Sequence, residues 1–400
     1  MNHKSLQSLL DGCANKKDKL YLYKEGINIP IDINCEYSKW QFWDQCSLFA
    51  YYEKEYDLAF KSYEKLITLG MYPEKEKERI FNNGKYFDVL NPSNALNHSL
   101  FIKTLQAEKN NIKGKIKYRG IIPDIIHFIY LKGYEFGLHH YIAIKSADIV
   151  MKWSTIYLYN DIEPENNIWW NLTKKIESVK IIKIHPPTVI NKNIITYKQH
   201  IADLMRLEIL KLFGGVYFDL DMLTHKDFSN LLSQINMSNQ LMMCKETDTR
   251  INNAMIACVP DCDFIAHWLN EYYTSYGNED LDTWGGLSVM KPFELLQLFP
   301  NTIILDTPTF LPFDYFHTDF FKNNNNSISF DNSFGIHLWD TEQQKRGILP
   351  ASIDELENSK SKFWYLFKYL LEEDKMYIEL TQMKYKIKEL EEQIKKLTKN

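Results

Sequence analysis

The chain has no stretch of about 18 apolar residues, so no membrane-spanning helix is expected. Its opening, MNHKSLQSLLDG, lacks the charged, apolar and small-residue order of a signal peptide, and a cytoplasmic protein is the expectation. Cysteine is sparse: Cys13, Cys35, Cys46, Cys244, Cys258 and Cys262 show no CxxC spacing and too low a density for a disulfide framework. Buried free thiols are expected instead, and Cys258 and Cys262 lack the second pair that a zinc site would need. Charge of neither sign dominates. With 47 Lys and Arg against 52 Asp and Glu the formal net charge is -5, and the basic residues are scattered rather than striped, which excludes a nucleic-acid footprint.

What is present describes a globular protein. Of the 400 residues 45% are hydrophobic and 14% aromatic, enough for a large core and more than one ordinary domain needs. The organising stretch is HIADLMRLEILKLFGGVYFDLDML, residues 200–223. Its first half is apolar almost all round, the mark of a helix buried on every side, yet it carries Asp203 and Arg206 at i, i+3 on one face. A buried opposite pair is costly unless a partner or ligand uses it. Gly214 and Gly215 end the helix, and Val216–Met222 is predicted as a strand. Alternation along that strand sends Tyr217, Asp219 and Asp221 to one side, so two carboxylates leave its end together and call for a cation.

This combination resembles the sugar-nucleotide-dependent glycosyltransferases of the GT-A fold, and most closely the family described as a sugar-binding region containing a DXD motif, to which the glucosyltransferase domains of large bacterial toxins are distantly related. The resemblance implies an α/β fold: a Rossmann-like, mainly parallel sheet flanked by helices, with an N-terminal helical region and a long C-terminal helix. It implies that Asp203 and Arg206 meet the donor sugar, near Gly215, and that Asp219 and Asp221 meet ribose, diphosphate and a metal ion.

Further along the chain, IIPDIIHFIYLKG reads as the first buried strand of a parallel sheet. In the resembling family the aromatic at its end stacks on the nucleotide base, which here is Tyr130, with Phe128 two residues earlier on the same face. GLHHYIAIKSADIVMKW reads as a crossover helix bearing His140 and Tyr141. STIYLYND and VKIIKIHPP follow as strands, and NQLMMCKE and INNAMIACVP as two more. Alternating strands and helices argue for βαβ units with a ligand site at the carboxyl ends of the strands. By resemblance, Asn253 faces sugar or acceptor, and Trp284, in TWGGLSVM, walls the acceptor side. SFGIHLWD then brings His337 back to the metal, with Trp339 at the diphosphate. Two carboxylates, a further ligand and phosphate oxygens suit Mn²⁺ or Mg²⁺.

Three regions are expected. Residues 1–112 are helical, with Trp40–Tyr52 and Tyr56–Leu69 resembling a single tetratricopeptide hairpin and KEKERIFNNGKYFDVL adding a helix. Residues 118–350 form the GT-A catalytic domain, within which KNNNNS is a polar loop. Residues 351–400 form a helix whose Leu380, Met383, Ile387, Leu390, Ile394 and Leu397 make a heptad seam, for a coiled-coil homodimer or for packing on the same chain. The expected activity is metal-dependent transfer of a sugar from a nucleoside-diphosphate donor, UDP- or GDP-linked, to a glycan or other hydroxyl acceptor, with retention. Two other classes stay open: a haloacid-dehalogenase-type phosphatase, suggested by VYFDLDMLT, and a non-catalytic carbohydrate-binding protein on a transferase fold.

Overall fold

A computed structural model describes residues 16–26, 40–53 and 92–381, apart from 133–134, 191–192, 196, 278–284, 318, 323–327 and 379, together with scattered positions between 58 and 79 and at 383 and 387. The chain divides into two compact units, residues 1–99 with 187–196, and residues 100–186 with 197–400.

The first unit is helical where residues 1–99 are described, and its 187–196 segment forms a short antiparallel pair, Val189–Ile190 with Asn193–Ile194. Helices α1 (Lys16–Gly26) and α2 (Gln41–Tyr52) enclose a small core of Tyr23, Phe42, Trp43, Cys46, Ala50, Leu58, Ala59, Tyr63 and Leu66. Trp43, Ala50, Ala59, Tyr63 and Leu66 are the residues that the hairpin pattern places inward. Burial pushes the Cys46 thiol up to about 12, against the opposing hydrogen bond from Ser62, as an inert core thiol requires. Cys46, Cys244, Cys258 and Cys262 are all free and buried. Cys13, Cys35 and most of the helix expected at KEKERIFNNGKYFDVL lie outside the described residues.

The second unit is built on a seven-stranded sheet. Its strands are β1 (Ile125–Tyr130), β2 (Thr155–Asn160), β3 (Val179–Lys183), β4 (Gly215–Phe218), then, after the short β5 (Met222–Thr224), β6 (Leu241–Thr247), β7 (Arg250–Cys258) and β8 (Ile303–Leu305). The spatial order is β8-β6-β7-β4-β1-β2-β3. Strands β3, β2, β1 and β4 run parallel, as do β6 and β8, whereas β7 is antiparallel to both its neighbours. This is the mainly parallel, helix-flanked α/β architecture expected. β1 is buried at every position, which a central parallel strand covered on both faces demands.

Two helices matter most for the site. The crossover helix α3 (Leu138–Met151) follows β1, and α4 (Lys198–Phe213) precedes β4. Helix α4 ends where expected: Gly214 takes φ 62 and its N–H returns to the Leu210 carbonyl. Gly215 takes φ 90, and a Cβ there would lie 2.5 Å from the Ile125 carbonyl, so only glycine lets β4 slide in beside β1. His127, fully buried on β1, fastens this turn by bonding the Gly214 carbonyl through Nε2 (2.9 Å) and the Tyr159 hydroxyl through Nδ1 (3.1 Å).

The strand expected over Val216–Met222 is shorter than its pattern suggests. β4 stops at Phe218, and Asp219–Met222 is a turn closed by the Met222 N–H on the Asp219 carbonyl (2.9 Å). The two acids are therefore held together by a turn, and not by alternation along a strand. At the C-terminal end, Phe363, Phe367, Leu370 and Leu371 of a helix over Lys362–Leu371 are buried, while Leu380, Met383 and Ile387 are exposed by 52%, 60% and 56%. Leu390, Ile394 and Leu397 lie outside the described residues. No described helix is long and apolar enough to cross a membrane.

Candidate functional site: a polar cavity at the ends of the strands

A cavity of about 740 Å³ opens at the carboxyl ends of β1 and β4, within the size range of small-molecule and cofactor sites. The buried helix α4 supplies Asp203 and Arg206 to its wall. The Arg206 guanidinium reaches Asp203 Oδ1 at 3.1 Å and Asp219 Oδ1 at 3.0 Å, and donates to the Asn253 carbonyl at 2.6 Å. Its charge also lies over the Tyr217 ring, 4.5 Å from the centroid. Burial disfavours the cation, but Asp219, Tyr217 and Asp203 outweigh it and raise the Arg206 pKa. Burial raises that of Asp203, and Arg206 only partly offsets this. The Asn253 amide donates to Asp203 Oδ1 at 2.8 Å, and the Tyr217 hydroxyl donates to Asp219 Oδ1 at 2.7 Å. Every part of this network is oriented by another.

Opposite the helix pair stands the late segment. A short strand β9 (Gly335–His337) pairs antiparallel with β5, and this register sets His337 against Met222, one residue beyond Asp221. His337 Nε2 lies 3.4 Å from Asp221 Oδ1, and one ligand atom each from Asp219, Asp221 and His337 fall within 4.8 Å of one another. Burial pushes Asp221 up, but the imidazole beside it pulls harder and leaves the carboxyl below its ordinary value. The same pair raises His337, against its own burial. Among the described residues His337 Nδ1 is buried without a hydrogen-bond partner, and the ring packs against Trp339, 4.2 Å away between centroids. Two carboxylate oxygens and an imidazole nitrogen converging in a cavity are a donor set that fits Mn²⁺ or Mg²⁺.

Of the other expected residues, Tyr130, Asn253 and Trp339 line the cavity. Tyr130 is 5% exposed, its ring edge-to-face with Phe136 at 5.2 Å. Phe128 does not reach the site, because its ring is fully buried beside Phe218 and offers no surface to a ligand. Gly215 is buried and is not among the residues lining the cavity; it sets the turn between α4 and β4. Trp284 lies outside the described residues.

Several lining residues carry no signal in the patterns read above, among them Lys198, Glu246, Arg250 and Asn252. Asp340 and His140 form a linked pair behind Asp221. The Gly137 N–H donates to His140 Nδ1 at 2.9 Å, which leaves Nε2 as the protonated nitrogen, donating to Asp340 Oδ2 at 3.0 Å. Burial, helped by the neighbouring His139, pulls His140 down to about 4, so the ring is neutral. Asp340 directly follows HLW, and that adjacency was the available signal.

Comparison with known proteins places these residues in context. Residues 145–241 match the family described as "Glycosyltransferase sugar-binding region containing DXD motif". "Glucan organizing enzyme 1" of Cryptococcus neoformans var. grubii serotype A is 29% identical over 266 residues, 60% of this chain and 69% of that protein. An uncharacterized Arabidopsis thaliana protein is 32% identical over 85 residues, 21% of this chain and 12% of its own. Among solved structures, the PaToxG glycosyltransferase aligns over 52% of this chain and 80% of its own, at 16% identity and a TM-score of 0.34. The segment that carries Asp203, Arg206, Asp219 and Asp221 thus lies within the stretch that matches the sugar-binding, DXD-containing region of this glycosyltransferase family.

Proposed function

We propose that the protein is a metal-dependent glycosyltransferase that moves a sugar from a nucleoside-diphosphate donor to an acceptor hydroxyl with retention of configuration. One observation carries the reading: the Asp203–Arg206 pair and the Asp219, Asp221 and His337 cluster face the same cavity, side by side. Asp219, Asp221 and His337 would hold Mn²⁺ or Mg²⁺, which when bound supplies Lewis-acid neutralisation of the departing diphosphate. The protein's own residues do the rest. Arg206, locked between two carboxylates and the Asn253 carbonyl, keeps Asp203 oriented toward the sugar hydroxyls. Tyr130 offers a ring to the base of a UDP- or GDP-sugar, and Trp339 borders the diphosphate. In the transfer the bond from the anomeric carbon to the diphosphate oxygen breaks, the nucleoside diphosphate leaves with the electron pair, and the acceptor oxygen bonds that carbon as its hydroxyl proton passes to the departing diphosphate.

Residues 118–350 are assigned to this catalysis, residues 1–112 to a helical region, and residues 351–400 to a tail that joins two copies, all in the cytoplasm. The phosphatase reading needs Asp219 as a free nucleophile, whereas one of its oxygens already accepts from both Tyr217 and Arg206. The test is turnover of a panel of UDP- and GDP-sugars with Mn²⁺ or Mg²⁺, water serving as acceptor in the slow background reaction. Failure to hydrolyse any donor while phosphate monoesters are cleaved sinks the transferase reading.

A further inference from the structure

An aromatic ridge leaves the cavity beside the candidate metal cluster. From His337 the chain of rings runs to Trp339 (4.2 Å between centroids), on to Tyr315 (5.7 Å) and then to Phe316 (4.2 Å). Exposure climbs along it: Trp339 and Tyr315 border the cavity, Tyr315 is 38% exposed, and Phe316 reaches 66%. The two rings are adjacent and continuous with the cavity, which sets them apart from singly scattered surface side chains.

The loop that carries them is fastened. The Trp339 indole N–H donates to the Phe313 carbonyl at 3.0 Å, and the Tyr315 carbonyl accepts from both Gln343 Nε2 (3.2 Å) and Arg346 Nη1 (2.8 Å). The Asp314 carboxylate accepts the Phe316 N–H at 2.9 Å and sits 2.8 Å from His317 Nδ1, which stiffens the turn under the ring. Trp339 itself holds φ 58, a left-handed conformation that a bulky residue adopts at a cost. Those bonds fix the backbone around Tyr315 and Phe316; Arg346 lies over one side of the Phe316 ring, and the residue is still mostly exposed.

We propose that Tyr315 and Phe316 form an acceptor subsite for a saccharide, in which a pyranose ring lies with its C–H face on the aromatic rings and its hydroxyls toward the polar rim. The chemistry matches on both sides. A pyranose has a flat apolar face about the size of a phenyl ring and a hydroxylated edge, and the ridge pairs flat rings with charged neighbours, Arg346 lying 5.7 Å from the Phe316 centroid and Lys345 and Glu342 bordering the cavity. Continuity with the cavity places the next hydroxyl of such an acceptor toward the candidate metal cluster. An alkyl acceptor would use the apolar rings but leave the rim unmatched, and a peptide acceptor is one arm of the test. The assignment rests on the transferase reading and refines its acceptor.

Saccharide binding is measured without donor or metal, by saturation-transfer NMR and calorimetry, using gluco-, galacto- and manno-configured methyl glycosides and disaccharides. The intact protein should bind at least one of them, Phe316→Ala should weaken that binding by about ten-fold, and Phe316→Trp should retain it. In turnover assays Phe316→Ala should raise the acceptor KM by a similar factor while background donor hydrolysis and nucleoside-diphosphate affinity stay unchanged. No saccharide binding anywhere in the panel, equal binding by Phe316→Ala, or binding of unglycosylated peptides in its place would overturn the assignment. Absence of donor hydrolysis alongside normal saccharide binding would instead count against the transferase reading and leave the subsite standing.

Discussion

The backbone N–H of Asp340 donates to Asp221 Oδ2 at 2.7 Å, tying the second acid of the DxD turn to a segment 119 residues later. The Asp221 backbone carbonyl accepts the Leu338 N–H as well, at 3.1 Å, so the residue is tied to that segment by both its backbone and its side chain. Such preorganisation is what a charged ligand needs, because an ion then meets a carboxylate already in place.

That relationship sets the first prediction. Asp221→Asn keeps the volume of the side chain but removes one charge from the cluster. It should abolish metal-dependent donor turnover while thermal unfolding of the metal-free protein shifts by only a few degrees. Wild-type turnover at saturating donor in this variant would rule out the metal role of the cluster.

Tyr130 gives the second. Base stacking is worth about 1–3 kcal/mol on alanine substitution in single-strand binders, so Tyr130→Ala should weaken nucleoside-diphosphate binding by about ten-fold or more. Its ring packs on Phe136 and Trp170, and Tyr130→Phe, which keeps that packing, should bind like the parent. Unchanged affinity of Tyr130→Ala by calorimetry would take the residue out of the site.

The glycine turn yields a third expectation. Gly215→Ala forces a Cβ to 2.5 Å from the Ile125 carbonyl at a φ of 90, with backbone rather than a flexible side chain in the way. A loss of roughly 2 kcal/mol or more is expected, read by urea unfolding. Gly214→Ala meets the Pro260 backbone nitrogen at the same distance and should behave alike. A variant as stable as the parent would show that the turn has slack.

How much of this was legible in the sequence depends on distance along the chain. The helix, the glycine stop and the paired acids are neighbours in sequence, so periodicity and turn chemistry reveal them, and the i, i+3 spacing of Asp203 and Arg206 does become a contact. Where the strand ends was not legible. Alternation continues through Asp221, while the ladder of β4 with β7 closes with the Asp219 N–H on the Ala254 carbonyl (2.9 Å), after which the chain turns. Phe128 shows the limit of alternation in another way: in a sheet covered on both faces, the side shared with a ligand residue is still core one step back. The links from His140 to Asp340 and from Arg206 to the Asn253 carbonyl join residues tens to hundreds of positions apart, and no local pattern encodes them.

Buried neutral histidines make the fourth prediction. Burial pulls both His127 and His140 down to about 4, below the ordinary 6.5. Between those values the unfolded chain binds more protons than the folded one, so stability is complete above pH 6.5 and is lost as pH falls toward 4. Each group contributes at most about 3 kcal/mol to that loss. His337 runs the other way, since its raised pKa adds stability that is present below 6.5 and lost as pH rises through the folded value. Urea unfolding across pH 4 to 7 should therefore show falling stability on acidification, with a shallower slope in His127→Asn. A flat profile would mean that these rings are protonated in the folded protein.

The tail supplies the last prediction. Leu380, Met383 and Ile387 present an apolar stripe that is more than half exposed, so the alternative of a helix laid on its own domain finds no support at these three positions. The repeat continues through Leu390, Ile394 and Leu397, giving isoleucine at two of three a positions and leucine at two of three d positions, the combination that favours two parallel strands. In such a pair Glu379 would oppose Lys384 of the other copy, and Lys386 would oppose Glu391, both attractive. Three heptads are near the lower limit for an isolated coil, so association should be weak and depend on protein concentration. Sedimentation should show a dimer that becomes a monomer when the residues after Lys375 are removed, or when Ile387 and Ile394 are both changed to Asn, with donor hydrolysis per chain unchanged because the cavity is built within one copy. A monomer at micromolar concentration in the intact protein would remove the tail's role and leave the site untouched.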